Sequence, residues 1–304
     1  MALFTIEKQQ IPAILLKDRF GTNPFSVLRA DTADWIKQKR QWEYILQDRK
    51  NNVRDTVAKG NTPYINNFEK EDFKGAKSPN AGMISTFDPF LCELMVKWFS
   101  EEGDLIVDPF AGGVVRGAVS CILKRAYIGI DISEKQVEHN RKQWQDIKGR
   151  YDISKELDPT YYIGDSKECM PELMTGSVDM ILTCPPYYNL ERYTDKQADL
   201  SNMGSYAEFY SLYKYILEEC ARALKPGGYA VIVVEEIRDK DGSFYGFVPD
   251  TIRACMNAGL QYYNEMILVN PIAILGIRST KYFVASRKVG RHHQNVLVFK
   301  KGEQ

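Results

Sequence analysis

The sequence predicts an α/β fold built on a doubly wound, mostly parallel seven-stranded sheet, with an N-terminal extension ahead of it. Short apolar runs alternate with amphipathic helical segments from residue 84 onward, and the connections between them are brief. Acids also end three of the strand runs, at Asp108, Asp131 and Asp165, where open α/β sheets hold their ligands.

Residues 1–80 read as the extension, partly helical. Within them, 31–49 has helical character, because Asp31 or Thr32 can cap it and Trp35, Trp42 and Ile45 or Leu46 recur near a 3.6-residue period. Lys37, Lys39 and Arg40 are interspersed, so the helix either packs on the main domain, the expected outcome, or touches nucleic acid. Residues 81–304 form that domain. Helices are predicted over 88–99, 113–124, 133–145 and 206–224, and strands over 105–107, 127–130, 161–163, 178–182, 229–234, 262–269 and 295–299, with a further helix between the strands at 229–234 and 262–269. The stretches 189–205 and 270–293 are candidate nucleic-acid-recognition loops.

Composition excludes several classes. With 44% hydrophobic and 26% charged residues over 304 positions, the chain has the material for a sizeable core. It has no apolar run of about 18 residues, so neither a membrane span nor a membrane partner is expected, and a cytoplasmic location is. The six cysteines form no C-x-x-C pair, which argues against a structural zinc site; no metal is expected. Net charge is zero, yet between Met266 and Gly302 there is no Asp or Glu, while Arg278, Lys281, Arg287, Lys288, Arg291, Lys300 and Lys301 are all basic. That asymmetry is a candidate phosphate-contacting surface.

The turn Asp108-Pro109-Phe110-Ala111-Gly112-Gly113 follows the first predicted strand of the domain. Its glycines let a ligand lie against backbone, and the helix that follows offers unpaired N–H groups. Asp131, with Ile132 after it, ends the next strand and suits ribose hydroxyls; Asp165, before Ser166, suits an adenine amino group. No G-x-G-x-x-G is present, so a dinucleotide is disfavoured.

After the strand at 178–182 comes Thr183-Cys184-Pro185-Pro186-Tyr187-Tyr188-Asn189. Two prolines stiffen the backbone and remove its donors, which leaves fixed carbonyl acceptors. An aromatic directly after them can stack on a planar base. The combination suits an exocyclic NH2 that must donate both protons, so that its nitrogen lone pair can attack an electrophilic methyl.

These motifs, in this order, resemble the amino-methyltransferases of DNA, the N6-adenine and N4-cytosine family, whose signature is Asp/Asn/Ser-Pro-Pro-Tyr/Phe/Trp. The turn at 108–113 is similar to the family's cofactor loop, and Asp131 and Asp165 to its ribose and adenine contacts. Residues 84–89, with Thr86 and Phe87, resemble its motif beside the methionine end of the cofactor, and 224–228 the turn before its fifth strand. Segments 20–28 and 286–299 are similar to stand-alone methylases of phages and prophages. The resemblance implies a Rossmann-like fold, S-adenosyl-L-methionine as cofactor, and duplex DNA with a flipped-out base as partner. It also implies Cys184, Pro185, Pro186 and Tyr187 as the catalytic set, with a monomer or homodimer in a bacterial or phage-infected cell and a restriction-modification setting. Tyr188, Asn189, Arg192, Arg278, Lys281, Arg287, Lys288 and Arg291 are the candidate DNA contacts.

One position departs from the signature. Cys184 stands where the family has Asp, Asn or Ser, and a thiol is a weak acceptor. Thr183, a water or the Pro185 carbonyl would then have to polarise the amino group. Adenine N6 is expected ahead of cytosine N4. RNA or protein methylation, a silent nucleic-acid-binding homologue, and a nucleophilic Cys184 acting at cytosine C5 are the alternatives.

Overall fold

A computed structural model describes residues 21–46, 86–151, 157–188, 190, 194–272 and 275–303, the side chains of 275–278 excepted. Its sheet comprises β1 (Val27–Arg29), β2 (Leu105–Asp108), β3 (Ala126–Asp131), β4 (Thr160–Ile163), β5 (Val178–Thr183), β6 (Leu224–Val234), β7 (Leu260–Val269) and β8 (His293–Lys301). They lie in the order β1-β7-β8-β6-β5-β2-β3-β4, and only β8 runs antiparallel to its neighbours. The mostly parallel, doubly wound sheet is as expected, with eight strands in place of seven. The extra strand, β1, is three residues long and pairs with β7 at the sheet edge. Three residues carry no readable period.

The helices are α1 (Ala33–Leu46), α2 (Pro89–Phe99), α3 (Val115–Ile122), α4 (Glu134–Arg150), α5 (Ser166–Cys169), α6 (Tyr206–Ala223), α7 (Phe247–Asn257) and α8 (Leu275–Ser286). Capping fixes where several of them start. Asp88 accepts from the N–H groups of Phe90 and Leu91 with Pro89 in the first turn, Ser133 accepts from Gln136, and Ser205 from Glu208.

Alternation along the strands divides the core in two. Ile106, Met180, Leu182, Val231, Val233, Val296 and Leu268 face the side covered by α1, α2, α3 and α4. Val107, Ile130, Ile181, Ile232, Val234 and Leu297 face α6 and α7. The α1 tryptophans turn inward: Trp42 donates from its indole to Glu93 Oε2 at 2.6 Å and Trp35 to Asp88 Oδ2 at 3.2 Å. Gln143 donates to the Leu46 carbonyl at 3.0 Å. Packing, not nucleic-acid contact, therefore uses this helix's aromatic face.

Two local readings change. Residues 224–228, expected as a turn, belong to β6, where Gly227 has φ +79° and the pairing with β5 shifts register between Val178 and Met180. A bulge accommodates the glycine pair without ending the strand. The 270–293 stretch, expected as a loop, contains α8. Among the described residues no helix is long and apolar enough to cross a membrane.

Connections from β2 run through β3 to β4 on one side, whereas β5 and β6 lie on the other. The carboxyl ends of β2 and β5 thus form the crevice where strand order reverses.

Candidate active site

A cavity of about 1030 Å³ opens at that crevice. Its walls bring together the sequence-predicted residues Thr86, Phe87, Pro109, Phe110, Gly112, Gly113, Asp131, Ile132, Asp165, Ser166, Cys184, Pro185, Pro186 and Tyr187. They come from four strand ends and the approach to α2.

Asp108 and Ala111 are both fully buried and lie beneath this wall, not on it. The Asp108 carboxylate is bonded by four donors: the Phe110 N–H at 3.1 Å, Thr183 Oγ1 at 2.6 Å, Arg116 Nε at 2.5 Å and the Tyr127 hydroxyl at 3.0 Å. Asp108, expected at the cofactor, is thus placed as a buried support of the glycine turn. Arg116 also donates to the carbonyls of Phe110 and Ala111 at 2.7 and 3.1 Å and lies over the Phe87 ring at 4.7 Å. Burial works against the Arg116 charge, and Asp108 more than offsets it, so the guanidinium pKa lies above its ordinary value. Burial, with Asp108 beside it, pushes the Tyr127 phenol well up and keeps it a donor.

The glycine turn is shaped for a ligand. Gly112 has φ +54° and donates its N–H to Asp131 Oδ2 at 2.8 Å, while Ser133 donates to Oδ1 at 2.8 Å. A Cβ at Gly113 would meet nothing within 4 Å, because the space it would enter is the cavity. Val114, at the start of α3, makes no side-chain cap, so the helix presents bare N–H groups beside that space. Asp165 caps α5 through the Lys167 N–H at 2.9 Å, and the Ser166 hydroxyl donates to the Pro109 carbonyl, tying β4 to the glycine turn.

On the opposite wall, Cys184 Sγ lies 3.7 Å from the Tyr187 hydroxyl. Tyr187 stands edge-on to Phe247, with ring centroids 6.1 Å apart. Thr183 is fully buried, donates its hydroxyl to Asp108 and does not line the cavity.

Tyr188, expected to help stack a base, is 6% exposed and packs on Tyr206, Phe209 and Tyr245. It has φ +46° and joins the core cluster of α6 and α7, against which Tyr187 also packs from the cavity side. Among the other candidate DNA contacts, Asn189 and Arg192 lie outside the described residues, as does the Arg278 side chain. Lys281 and Arg287 are exposed, and the Arg287 guanidinium sits over Phe283 at 5.3 Å. Lys288 packs against the Gly242 backbone, where a Cβ would collide with it. Arg291 donates to Asn295 Oδ1 at 2.8 Å and to the His293 carbonyl at 3.2 Å, which makes it a brace for β8. None of these four described side chains lines the cavity.

Sequence reading missed Lys39, Arg116, Glu235, Asn270 and Gln294, all on the cavity wall. Glu235 carried a usable signal, since it is another acid placed directly after a strand. Lys39, Asn270 and Gln294 carried none, because only folding brings the extension and the β7 and β8 ends to this crevice.

Topology and cavity together define the S-adenosylmethionine-dependent methyltransferase fold. The chain belongs to the DNA methylase family, whose profile matches residues 26–142 and 178–304. No curated protein matches. Solved structures similar to it include a Thermus thermophilus protein assigned as a DNA modification methylase, at 21% identity and TM-score 0.36, covering 46% of this chain and 52% of that one. The aligned part thus spans about half of the Thermus chain's length. A TehB-like SAM-dependent methyltransferase of Corynebacterium glutamicum matches at 15% identity and TM-score 0.39, over 66% of this chain and 82% of that one. Geranyl diphosphate C-methyltransferase of Streptomyces coelicolor matches at 15% identity and TM-score 0.47, over 70% and 78%.

S-adenosylmethionine, the cofactor of this fold, meets residues that fit it. The open space at Gly113 receives a ligand without a Cβ in the way, and Asp131 and Asp165 edge the same cavity. A carboxylate at a strand end suits ribose hydroxyls, and bare helix N–H groups beside the loop suit polar atoms of the ligand.

Proposed function

We propose that this protein is an S-adenosylmethionine-dependent DNA methyltransferase that acts on the exocyclic amino nitrogen of a flipped-out base, with adenine N6 placed ahead of cytosine N4. The observation that carries the reading is the shared cavity: the Cys184-Pro185-Pro186-Tyr187 loop faces the space that Asp131, Asp165 and the glycine turn border. Asp131, Asp165 and the turn hold the cofactor, which supplies an electrophilic methyl. Pro185 offers a carbonyl acceptor, and Tyr187 offers a ring, braced by Phe247, on which a base can stack. The base leaves the duplex at a cost of a few kcal/mol. Rate enhancement then comes from positioning and from dipoles fixed before the reaction.

DNA contact is assigned to the basic segment that includes α8. The α8 segment and the residues after it carry exposed Lys281 and Arg287 beside exposed Phe283, Val284 and Val289, a mixture of cations and apolar side chains suited to phosphates and unstacked bases.

Labelled methyl transfer to duplex DNA, RNA and protein tests the reading, with incorporation into DNA expected and its absence refuting it. Long-read sequencing of DNA from expressing cells then reads base and site together. Cys184→Ser preserves or raises turnover if the acceptor is an amino nitrogen, and abolishes it if Cys184 is a nucleophile.

A further inference from the structure

We propose that Glu235 is a catalytic residue of this site: its carboxylate accepts the proton of the target amino group, supplying the acceptor that Cys184 lacks, while the Gln294 amide reads the adjacent ring nitrogen. The inference rests on the amino-methylation reading above.

Strand register places these groups. β5 and β6 are parallel neighbours with Thr183 aligned to Ile232, so Cys184 aligns with Val233 and Glu235 stands two residues further on. Met180, Leu182 and Cys184 pack on the same side of the sheet as Val231 and Val233. Alternation then puts Glu235 on that side too. Its Cα is offset from that of Cys184 by about 4.8 Å across the strands and about 6.6 Å along them, a gap that one glutamate side chain and one nucleobase edge can share.

The antiparallel partner continues the row. Val234 pairs with Asn295 and Val233 with Val296, so Gln294 stands opposite Glu235, on the side that Val296 and Val298 share. Leu268 pairs with Gln294, and Asn270, two residues beyond Leu268, reaches the same wall. Cys184, Glu235, Gln294 and Asn270 thus form a polar row across the ends of β5, β6, β8 and β7, all lining the cavity on the side away from Asp131 and Asp165. Glu236 follows directly in the chain. It turns to the other side and accepts from the Phe247 and Val248 N–H groups at 3.0 and 3.1 Å, capping α7.

Amino-bearing bases present an NH2 donor next to a ring-nitrogen acceptor, at N6 and N1 of adenine or N4 and N3 of cytosine. A carboxylate beside an amide NH2 is the complement of that edge. During transfer the amino nitrogen's lone pair forms the new N–C bond, the S–C bond breaks, and its electron pair stays on sulfur. The nitrogen then carries one proton too many, and Glu235 takes it and passes it to solvent.

Single-turnover methyl transfer by the full-length protein to duplex DNA, alongside calorimetric titration with S-adenosylmethionine, tests this. Glu235→Gln is expected to lower the rate about 100-fold, at the low end of general acid–base contributions, with cofactor affinity unchanged. Cys184→Asn placed in the Glu235→Gln background, restoring a strong acceptor beside the same amino group, should recover at least about tenfold of that loss. If Glu235→Gln does not fold, Glu235→Asp replaces it, with an intermediate rate expected. A variant at position 235 within about threefold of wild type, a parallel collapse of cofactor binding, or no recovery with Cys184→Asn overturns the assignment of Glu235. Wild-type protein that transfers nothing to DNA overturns the amino-methylation reading first, and this inference with it.

Discussion

Arg116→Met removes a largely buried cation from the cavity wall and leaves Asp108 behind. Arg116 is 5% exposed and Asp108 fully buried, so water is a poor replacement for the lost partner. Breaking one side of a buried ion pair costs about 3–5 kcal/mol. Asp108 keeps three donors, from Phe110, Tyr127 and Thr183, which places the expected loss near the lower end, about 3 kcal/mol. For a chain of this size that is a fall in Tm of roughly 6 °C, at about 2 °C per kcal/mol. The carbonyls of Phe110 and Ala111 lose their tether at the same time. The glycine turn is then less firmly placed, and cofactor affinity is expected to weaken by about tenfold, which is about 1.4 kcal/mol. Scanning calorimetry with and without S-adenosylmethionine measures both effects. Asp108→Asn combined with Arg116→Met should lose less than the sum of the single changes, because no charge is then stranded. A Tm within about 1 °C of wild type together with unchanged cofactor affinity would refute the claim that this pair organises the turn.

Adjacent tyrosines should separate cleanly: Tyr188→Ala, emptying the space among Tyr206, Phe209 and Tyr245, costs about 3–5 kcal/mol of stability by analogy with other buried aromatics. Tyr187→Ala instead lowers methyl transfer with a smaller stability loss, and urea unfolding beside single-turnover assays compares the two. Gly113→Val projects into the open cavity, so cofactor binding measured by calorimetry falls at least tenfold while Tm moves by less than about 2 °C, as expected for a change that strains nothing in the fold. Gly242→Ala meets both a φ of +91° and the Lys288 side chain, displacing Lys288; DNA affinity measured across a salt series is expected to weaken, with a log–log slope shallower by about one unit for one lost phosphate contact.

Much of the fold was legible because its code is local. Seven strands and the helices covering 88–99, 113–124, 133–145 and 206–224 were read to within about five residues, and for three of these helices capping by Asp88, Ser133 and Ser205 is written in the sequence next to the helix start. The strand β1 and the helix α8 were not, one for want of length and the other because its basic and apolar residues are exposed together without a clear face. Within the site, the glycine turn and the Pro-Pro-Tyr loop were legible as chemistry. The burial of Tyr188 was not legible, because its partners Tyr206, Phe209 and Tyr245 come from segments distant in sequence.

The sequence by itself determined the doubly wound α/β class, the place of the cofactor turn, and the loop that carries Cys184 and Tyr187. Each depends on periodicity or on residues close together in the chain. Only the tertiary structure decided that Asp108 supports the turn from below, that Tyr188 belongs to the core, and that Glu235, Gln294 and Asn270 stand in one row with Cys184. Those assignments depend on strand register and on which side of the sheet a side chain takes, and both are fixed by pairings between segments distant in sequence.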